Sequence, residues 1–226
     1  MMARELTLHR RAARAGKTES VVLFLHGYGA DGADLLGLAD PLGEYLKTTT
    51  FLAPDAPEKC AANPMGYQWF CIPWLDGCSA QAAAEGLARA REDVDALIDR
   101  VLEEEGISPE QLIVFGFSQG TMMALDVVPA RPVPIAGIVG FSGRLMEPES
   151  LGARVRSRPP VLLVHGDADD MVPMQYFQEA GAALQEAGFD VYAHVMKGTG
   201  HGIAPDGLSV ALAFIAQRLG VALPEG

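Results

Sequence analysis

An apolar run leads into a glycine-flanked serine at Gln111-Leu112-Ile113-Val114-Phe115-Gly116-Phe117-Ser118-Gln119-Gly120. The first five residues are typical of a buried strand, and residues 121–128 have the pattern of a helix. Between them lies G-x-S-x-G, the pattern of a sharp strand-to-helix turn with a serine at its tip. The pattern alone is weak in a chain with 25 glycines, and its position between a strand and a helix is what supports it. The structural alternative is that Ser118 only caps the helix.

Similar apolar runs recur along the whole chain and are separated by helical patterns. They are continuously apolar rather than alternating, which is typical of parallel strands covered on both faces. The predicted strands are residues 21–25, 50–53, 111–115, 135–139, 161–164 and 191–195, with 6–10 as a candidate antiparallel edge strand. The predicted helices are residues 34–47, 80–105, 119–128, 174–187 and 208–219. This alternation predicts an α/β fold with a mostly parallel central sheet, helices on both faces and a single domain over residues 1–226.

Composition excludes several classes of protein. Hydrophobic residues make up 49% of the chain, which favours a packed core over a disordered or fibrous chain. The net charge of −12 argues against nucleic acid or an anionic membrane surface as a partner. No apolar run is long enough to cross a membrane. The three cysteines, Cys60, Cys71 and Cys78, are too few for a disulfide framework, so we expect a reducing, cytoplasmic location.

Reactive residues should lie at the carboxyl ends of the strands, where sites form in parallel sheets. After residues 21–25, Gly27, Gly29 and Gly32 spell G-x-G-x-x-G, the fingerprint of a dinucleotide-binding loop. Asp55 follows the next strand, where an acid that binds a ribose would lie. The alternatives are a tight turn, or a loop that directs a backbone N–H toward a developing oxyanion.

Two later strand ends carry an acidic cluster and a histidine. Asp167, Asp169 and Asp170 follow residues 161–164 and are consistent with a solvated loop, a magnesium site or an acid that orients a histidine. His201 lies between two glycines on a loop, which is hard to explain as core packing. Ser118, an aspartate and His201 thus follow the order nucleophile, acid, base that is expected of an α/β-hydrolase sheet. This order makes the dinucleotide interpretation much the weaker one.

The chain resembles the phospholipase/carboxylesterase family, which includes acyl-protein thioesterases and bacterial carboxylesterases. Four segments carry the resemblance: Leu25-His26-Gly27-Tyr28-Gly29; Gly116-Phe117-Ser118-Gln119-Gly120; His165-Gly166-Asp167-Ala168-Asp169 with Val172-Pro173; and Gly200-His201. Residues 53–57 and 66–70 resemble the bacterial branch. The resemblance covers nearly the whole chain and implies the α/β-hydrolase fold.

Site residues are implied by the same resemblance. The family pattern makes Ser118 the nucleophile, Asp169 the acid and His201 the base. It also assigns the oxyanion hole to the backbone amides of Tyr28 and Gln119. The aspartate that directly follows Asp169 is a departure that leaves the choice of acid open.

The function expected from the resemblance is hydrolysis of a small-molecule carboxylic ester through an acyl-enzyme, with no cofactor and no metal. The chain between Phe141 and Pro160 is too short for a cap domain, so we expect an open site, and a homodimer is compatible with this expectation. The alternatives are an acyl-protein thioesterase or lysophospholipase that uses the same residues, or a non-catalytic ligand-binding protein on this fold.

A hydrophobic substrate pocket is expected beside the serine. Trp69, in the long irregular stretch between residues 53 and 77, and Met122, one helical turn after Ser118, are the candidates for its walls. Methionine adapts to substrates of varied shape. The alternative is that both side chains are ordinary core residues.

Overall fold

The computed structural model describes residues 3–224 and is built on a seven-stranded sheet. Its strands are β1 (Leu8–Arg11), β2 (Ser20–Leu25), β3 (Thr49–Pro54), β6 (Leu112–Phe117), β7 (Gly137–Phe141), β8 (Val161–Gly166) and β9 (Val191–Met196). They lie in the order β1-β3-β2-β6-β7-β8-β9, and β1 alone runs antiparallel to its neighbour. A separate hairpin pairs β4 (Glu58–Lys59) with β5 (Tyr67–Gln68). The predicted parallel sheet and its antiparallel edge strand are confirmed.

Helices cover both faces of this sheet. They are α1 (Gly32–Leu36), α2 (Ala39–Gly43), α3 (Pro73–Asp76), α4 (Ala80–Glu105), α5 (Gln119–Val127), α6 (Leu151–Arg154), α7 (Met174–Glu186) and α8 (Pro205–Leu219). Short 3₁₀ helices cover Pro109–Gln111, Val128–Ala130 and Pro148–Ser150. Helix α4 has the bounds predicted from the sequence, residues 80–105. The Ser79 side chain caps its start, and Gly106 ends it in the left-handed conformation.

The single helix predicted over residues 34–47 is wrong, because the structure has the two short helices α1 and α2 there. Pro41 accounts for the break. It lacks a backbone N–H, so a continuous helix would lose the hydrogen bond to the carbonyl of Gly37 and its ring would crowd that turn. The strand predicted over residues 135–139 is also displaced and lies at Gly137–Phe141.

The core lies on the two faces of the sheet. Alternate residues of β2 belong to opposite faces: Val21, Leu23 and Leu25 pack with α4, α5 and α7, whereas Val22 and Phe24 pack with α1, α2 and α8. Every residue of β2 is buried, which is why its sequence is continuously apolar from Val21 to Leu25. The single-domain prediction over residues 1–226 stays a prediction, and residues 1, 2, 225 and 226 lie outside the described range.

The structure pairs two of the three cysteines, which the cysteine count did not predict. Cys71 and Cys78 form a disulfide across α3, and Cys60 is free and buried. The Tyr28 hydroxyl also donates a hydrogen bond to Asp76 at the end of α3. A disulfide and a hydrogen bond therefore both hold this segment. Within residues 3–224, no helix combines the length and the apolar character needed to cross a membrane.

Candidate active site

The turn between β6 and α5 places Ser118 at its tip. Ser118 has φ 53° and ψ −115°, a conformation that is rare for a residue with a side chain. Gly116 and Gly120, two residues before and after the serine, let the turn pack closely against neighbouring backbone. A Cβ at Gly116 would lie 2.5 Å from the Thr121 Cα, and a Cβ at Gly120 would overlap the carbonyl oxygen of Leu25. The glycines are thus required by packing, as the G-x-S-x-G pattern predicts.

The hydroxyl of Ser118 is not used to cap α5. The side chain makes no hydrogen bond to the first turn of that helix. It lies instead against His201, whose Nε2 is 3.0 Å from the serine Oγ. The His201 Nδ1 lies 2.8 Å from Asp169 Oδ2. With Nδ1 donating to the carboxylate, Nε2 accepts from the serine hydroxyl, so the three side chains form one continuous hydrogen-bonded chain.

The loop after β8 presents the Asp169 carboxylate to His201. The other oxygen, Oδ1, accepts hydrogen bonds from the amides of Met171 (3.0 Å) and Val172 (2.8 Å). Burial alone would raise the pKa of Asp169, but the hydrogen bonds from Val172 and His201 outweigh it and hold that pKa below its ordinary value. His165 fixes the same loop through its ring, with Nε2 2.7 Å from the Val172 carbonyl oxygen.

The neighbouring aspartates have other positions. Asp167 accepts a hydrogen bond from the amide of Gly198 (2.6 Å), on the loop that leads to His201. Asp170 is exposed. Only Asp169, among the three, contacts the imidazole, and it is the aspartate that the family resemblance implies. Within residues 3–224, no cluster of three acidic, histidine or cysteine side chains is placed to ligate a metal.

The glycine-rich loop after β2 passes beside the serine. A Cβ at Gly27 would lie 3.2 Å from the Ser118 Cβ. The loop amides of Gly29 and Ala30 donate to backbone carbonyls. In contrast, within the described part of the chain, neither the Tyr28 amide nor the Gln119 amide at the start of α5 donates a hydrogen bond. Two unused donors therefore lie on the chain segments that flank Ser118.

The dinucleotide interpretation of this loop has no support in the geometry. Asp55 is not free to bind a ribose, because its Oδ1 accepts hydrogen bonds from the Gly32 amide and the His9 ring, both at 2.9 Å. A Cβ at Gly32 would lie 2.5 Å from the Ala53 carbonyl oxygen. This glycine therefore serves packing between the loop and β3.

Trp69 is not a wall of the substrate pocket, contrary to the expectation from the sequence. It is fully buried in the core. Its indole N–H donates to the carbonyl of His26 (2.9 Å), and its amide donates to the side chain of Gln119 (2.9 Å). The Gln119 side chain also donates to the carbonyl of Phe70 (2.8 Å). Tryptophan and glutamine together clamp the long loop against the nucleophile turn.

Met122 lines a cavity of about 640 Å³. Ser118, Asp169 and His201 are not among its lining residues, but two lining residues are bonded to the triad: the Met122 amide donates to the Ser118 carbonyl, and the Val172 amide donates to the Asp169 carboxylate. The walls are mostly apolar and come from α3, α4, α5, the segment after β7, and the loop that carries Asp169. Trp74 and Met171, both largely exposed, lie on the walls as well. Arg144 contributes a charged group to this apolar cavity.

The contacts made by backbone amides, and by side chains that act across the fold, could not be predicted from the sequence. The Met171 and Val172 amides leave no signal in residue identity. The clamp formed by Gln119 depends on a loop about fifty residues earlier in the chain, which spacing does not reveal. Arg144 lies shortly after the strand predicted over residues 135–139. Its position after a strand end was the signal in the sequence that it could belong to the site.

Comparisons with known proteins identify the family of the chain. A family model described as Phospholipase/Carboxylesterase matches residues 10–219. Acyl-protein thioesterase 1 of Saccharomyces cerevisiae is 31% identical over 229 residues, which cover 93% of this chain and 97% of the yeast protein. A probable carboxylesterase of Oryza sativa subsp. japonica is 31% identical over 220 residues, which cover 92% of this chain and 81% of the rice protein.

The solved structures agree as well. The crystal structure of esterase PE8 is 40% identical in sequence and superposes with a TM-score of 0.90, covering 96% of this chain and 100% of that chain. The superposition confirms the predicted α/β-hydrolase fold.

Proposed function

Because the chain belongs to the phospholipase/carboxylesterase family and is a serine hydrolase, we propose that it hydrolyses carboxylic esters through an acyl-enzyme on Ser118. His201 is the proposed base and Asp169 the residue that orients it. The observation that carries the proposal is the continuous hydrogen-bonded chain from Asp169 through His201 to Ser118.

The proposed reaction has two halves. The Ser118 Oγ attacks the ester carbonyl and gives its proton to His201 Nε2. The tetrahedral intermediate collapses when the C–O bond to the alcohol breaks and His201 returns the proton to the leaving alkoxide. Water then attacks the acyl-serine by the same route, with His201 as base, and releases the carboxylic acid and the free serine hydroxyl.

The surroundings support each role. The negative charge that develops on the carbonyl oxygen would be stabilised by the unused amides of Tyr28 and Gln119. The α5 N-terminus adds partial positive charge at the same place. Ionised Asp169 keeps the Nδ1 proton on His201 and stabilises the imidazolium formed during attack.

A thioesterase is the second candidate, since the yeast relative is named an acyl-protein thioesterase and would use the same residues. The test measures kcat/KM for p-nitrophenyl esters of increasing chain length and for acyl thioesters of the same chains, with wild type and Ser118→Ala. Faster turnover of oxyesters, with both activities lost in the variant, supports the carboxylesterase. Preference for thioesters supports the second candidate, and a wild type inactive on both supports a non-catalytic binding protein.

A cytoplasmic location is also proposed, on the low cysteine content. The Cys71–Cys78 disulfide argues against it, because such bonds are rare in reducing compartments. The test quenches cells in acid, unfolds the protein in denaturant so that the buried Cys60 also reacts, and then alkylates and counts the free thiols. Three alkylated cysteines support the cytoplasmic location, and one alkylated cysteine, Cys60, contradicts it.

A further inference from the structure

The cavity beside the triad contains one guanidinium that the proposed reaction does not use. We propose that Arg144 binds an anionic group, a carboxylate above all, at the far end of the substrate, so that the enzyme prefers esters that carry a negative charge away from the scissile bond. This inference rests on the proposed ester hydrolysis and names the class of substrate for it.

Arg144 is connected to the nucleophile turn through its neighbour. It lies on the segment after β7, and a Cβ at the preceding Gly143 would be only 2.9 Å from the Ser118 carbonyl oxygen. The Arg144 side chain lines the same cavity as Met122, which follows Ser118 by one helical turn. A substrate whose acyl or alcohol part extends past Met122 into this cavity would meet the guanidinium on its wall.

Two aromatic rings hold the guanidinium in place. Its central carbon lies 5.2 Å from the ring centroid of Tyr176 and 6.0 Å from that of Trp74. Such cation–π contacts position an arginine without using its N–H groups. Five donors thus remain available to a ligand, in the planar arrangement that matches a carboxylate.

No protein carboxylate satisfies these donors. Within residues 3–224, Arg144 has no ion pair or hydrogen bond, although the chain has 29 acidic residues and many of its arginines are paired. Glu147 lines the same cavity, but its carboxylate lies 3.6 Å from Arg91 and accepts a hydrogen bond from Ser150. Arg144 is therefore the unneutralised charge of the cavity.

An anion in this cavity would gain more than it does in water. The walls are mostly apolar, so a hydrogen bond between guanidinium and carboxylate is less screened there than at the surface. The chain as a whole carries a charge of −12, which repels anions. Selection of an anionic substrate therefore requires a local cation, and Arg144 supplies it.

The experiment compares matched esters that differ in one charge. On the acyl side these are mono-p-nitrophenyl adipate and p-nitrophenyl hexanoate. On the alcohol side they are 4-acetoxybutanoate and butyl acetate, followed by release of acid. The proteins are wild type, Arg144→Met, Arg144→Lys and Arg11→Met, the last being a matched loss of charge at the exposed edge strand β1.

Arg144→Met should lower kcat/KM for the anionic member of one pair by about 10- to 100-fold, the range for a hydrogen bond between charged groups. The neutral member should change by less than about twofold. Arg144→Lys should retain part of the preference, Arg11→Met all of it, and added salt should weaken it in the wild type. The pair that responds identifies whether the acyl or the alcohol part occupies the cavity.

Equal loss on charged and neutral esters would overturn the inference and leave Arg144 a structural side chain. So would a wild type with no preference for either charged ester. If Arg144→Met fails to fold, Arg144→Lys and the salt dependence decide the question. Absence of turnover of p-nitrophenyl hexanoate by the wild type would instead contradict the proposed ester hydrolysis itself.

Discussion

Asp169 accepts hydrogen bonds from the His201 ring and from two loop amides, so its charge is stabilised on both oxygens. These contacts keep its pKa below the ordinary value despite burial. The carboxylate therefore stays ionised through the neutral range and down to mildly acidic pH. An ionised partner is what His201 requires to hold its Nδ1 proton and to accept a second proton at Nε2.

Asp169→Asn should reduce kcat by up to about four decades, the loss that follows when an orienting aspartate in a serine protease becomes an amide. The amide can donate its N–H to His201 Nδ1, which would place the imidazole proton on Nε2 and prevent it from accepting the serine proton. KM should change little. The measurement is steady-state kinetics on a p-nitrophenyl ester.

Asp170→Asn is the matched control, since Asp170 is adjacent and exposed. It should retain near wild-type kcat. Asp167→Asn should act mainly on stability, because its carboxylate accepts from the Gly198 amide. An inactive Asp170→Asn or Asp167→Asn beside an active Asp169→Asn would show that the third member of the triad is misassigned.

At the scale of the element, the β6–α5 turn depends on close backbone contact. Gly120→Ala should destabilise the protein by at least ~2 kcal/mol, because the new methyl overlaps the Leu25 carbonyl and the helix must move away from β2. Gly152→Ala, in α6 where no atom lies within 4 Å of the new Cβ, should be neutral or slightly stabilising. Urea unfolding measures both. A Gly120→Ala protein as stable as Gly152→Ala would contradict the close packing.

The Cys71–Cys78 disulfide stabilises a second element, the short helix α3. The free energy of unfolding of the Cys71→Ser, Cys78→Ser double variant should be lower by about 2 kcal/mol. Without the disulfide, the unfolded chain regains the conformational entropy that the closed short loop had removed. The wild type should lose a similar amount in dithiothreitol, whereas the double variant should not respond to it. Thermal unfolding with and without reductant measures the effect. A wild type whose melting is indifferent to reductant would show that the disulfide contributes nothing.

Elements with a local signal could be predicted from the sequence. Helix α4 has a stripe of apolar residues at helical spacing and a glycine directly after its last turn. Both signals lie within one stretch of sequence, and the bounds of α4 are as predicted. The nucleophile turn was predictable for the same reason, since Gly116 and Gly120 stand at fixed offsets from the serine. The apolar pattern of residues 34–47 is continuous across Pro41, so it predicts one helix where the proline in fact divides it.

Features that depend on tertiary contacts could not be predicted. Trp69 lies in an irregular stretch, and its burial depends on Gln119 and the carbonyl of His26, which are distant in sequence. The cysteine pairing depends on how α3 folds back. The choice among three adjacent aspartates likewise depends on loop geometry, and only resemblance to the family indicated it.

At the scale of the whole molecule, the sheet gathers residues that are far apart in the chain. Ser118 and His201 are separated by 83 positions, and His201 and Asp169 by 32. The parallel strands β6 and β8 end at the same edge, and the loop after β9 delivers the histidine there. The site therefore forms only when the global fold forms, so stability and activity should be lost together on unfolding.

Acid should reduce that stability partly through His26. Burial lowers the pKa of this histidine, whose Nδ1–H donates to the Gly27 carbonyl while Nε2 accepts from the Ala56 amide. The unfolded chain then binds a proton at His26 before the folded one does. The contribution is fully present above the unfolded pKa of about 6.5 and is lost as the pH falls toward the lower, folded pKa.

His26→Gln should consequently show a smaller drop in Tm between pH 7.5 and pH 5.5 than the wild type, with about 2–4 °C for each 1 kcal/mol removed. Glutamine can both donate and accept a hydrogen bond, so it can replace the contacts of the His26 ring with the Gly27 carbonyl and the Ala56 amide. An unchanged slope in His26→Gln would contradict the assignment of the buried neutral imidazole.

The central claim is that Ser118 is the activated nucleophile, and reaction with a fluorophosphonate followed by peptide mass mapping tests it most directly. The serine Oγ forms a bond to phosphorus and fluoride leaves, so one adduct per chain is expected, at Ser118. Ser118→Ala should take up none. Ser142 also follows a strand and has a positive φ, but it is fully buried and should stay unlabelled. An adduct at Ser142, or labelling that persists in Ser118→Ala, would contradict the account.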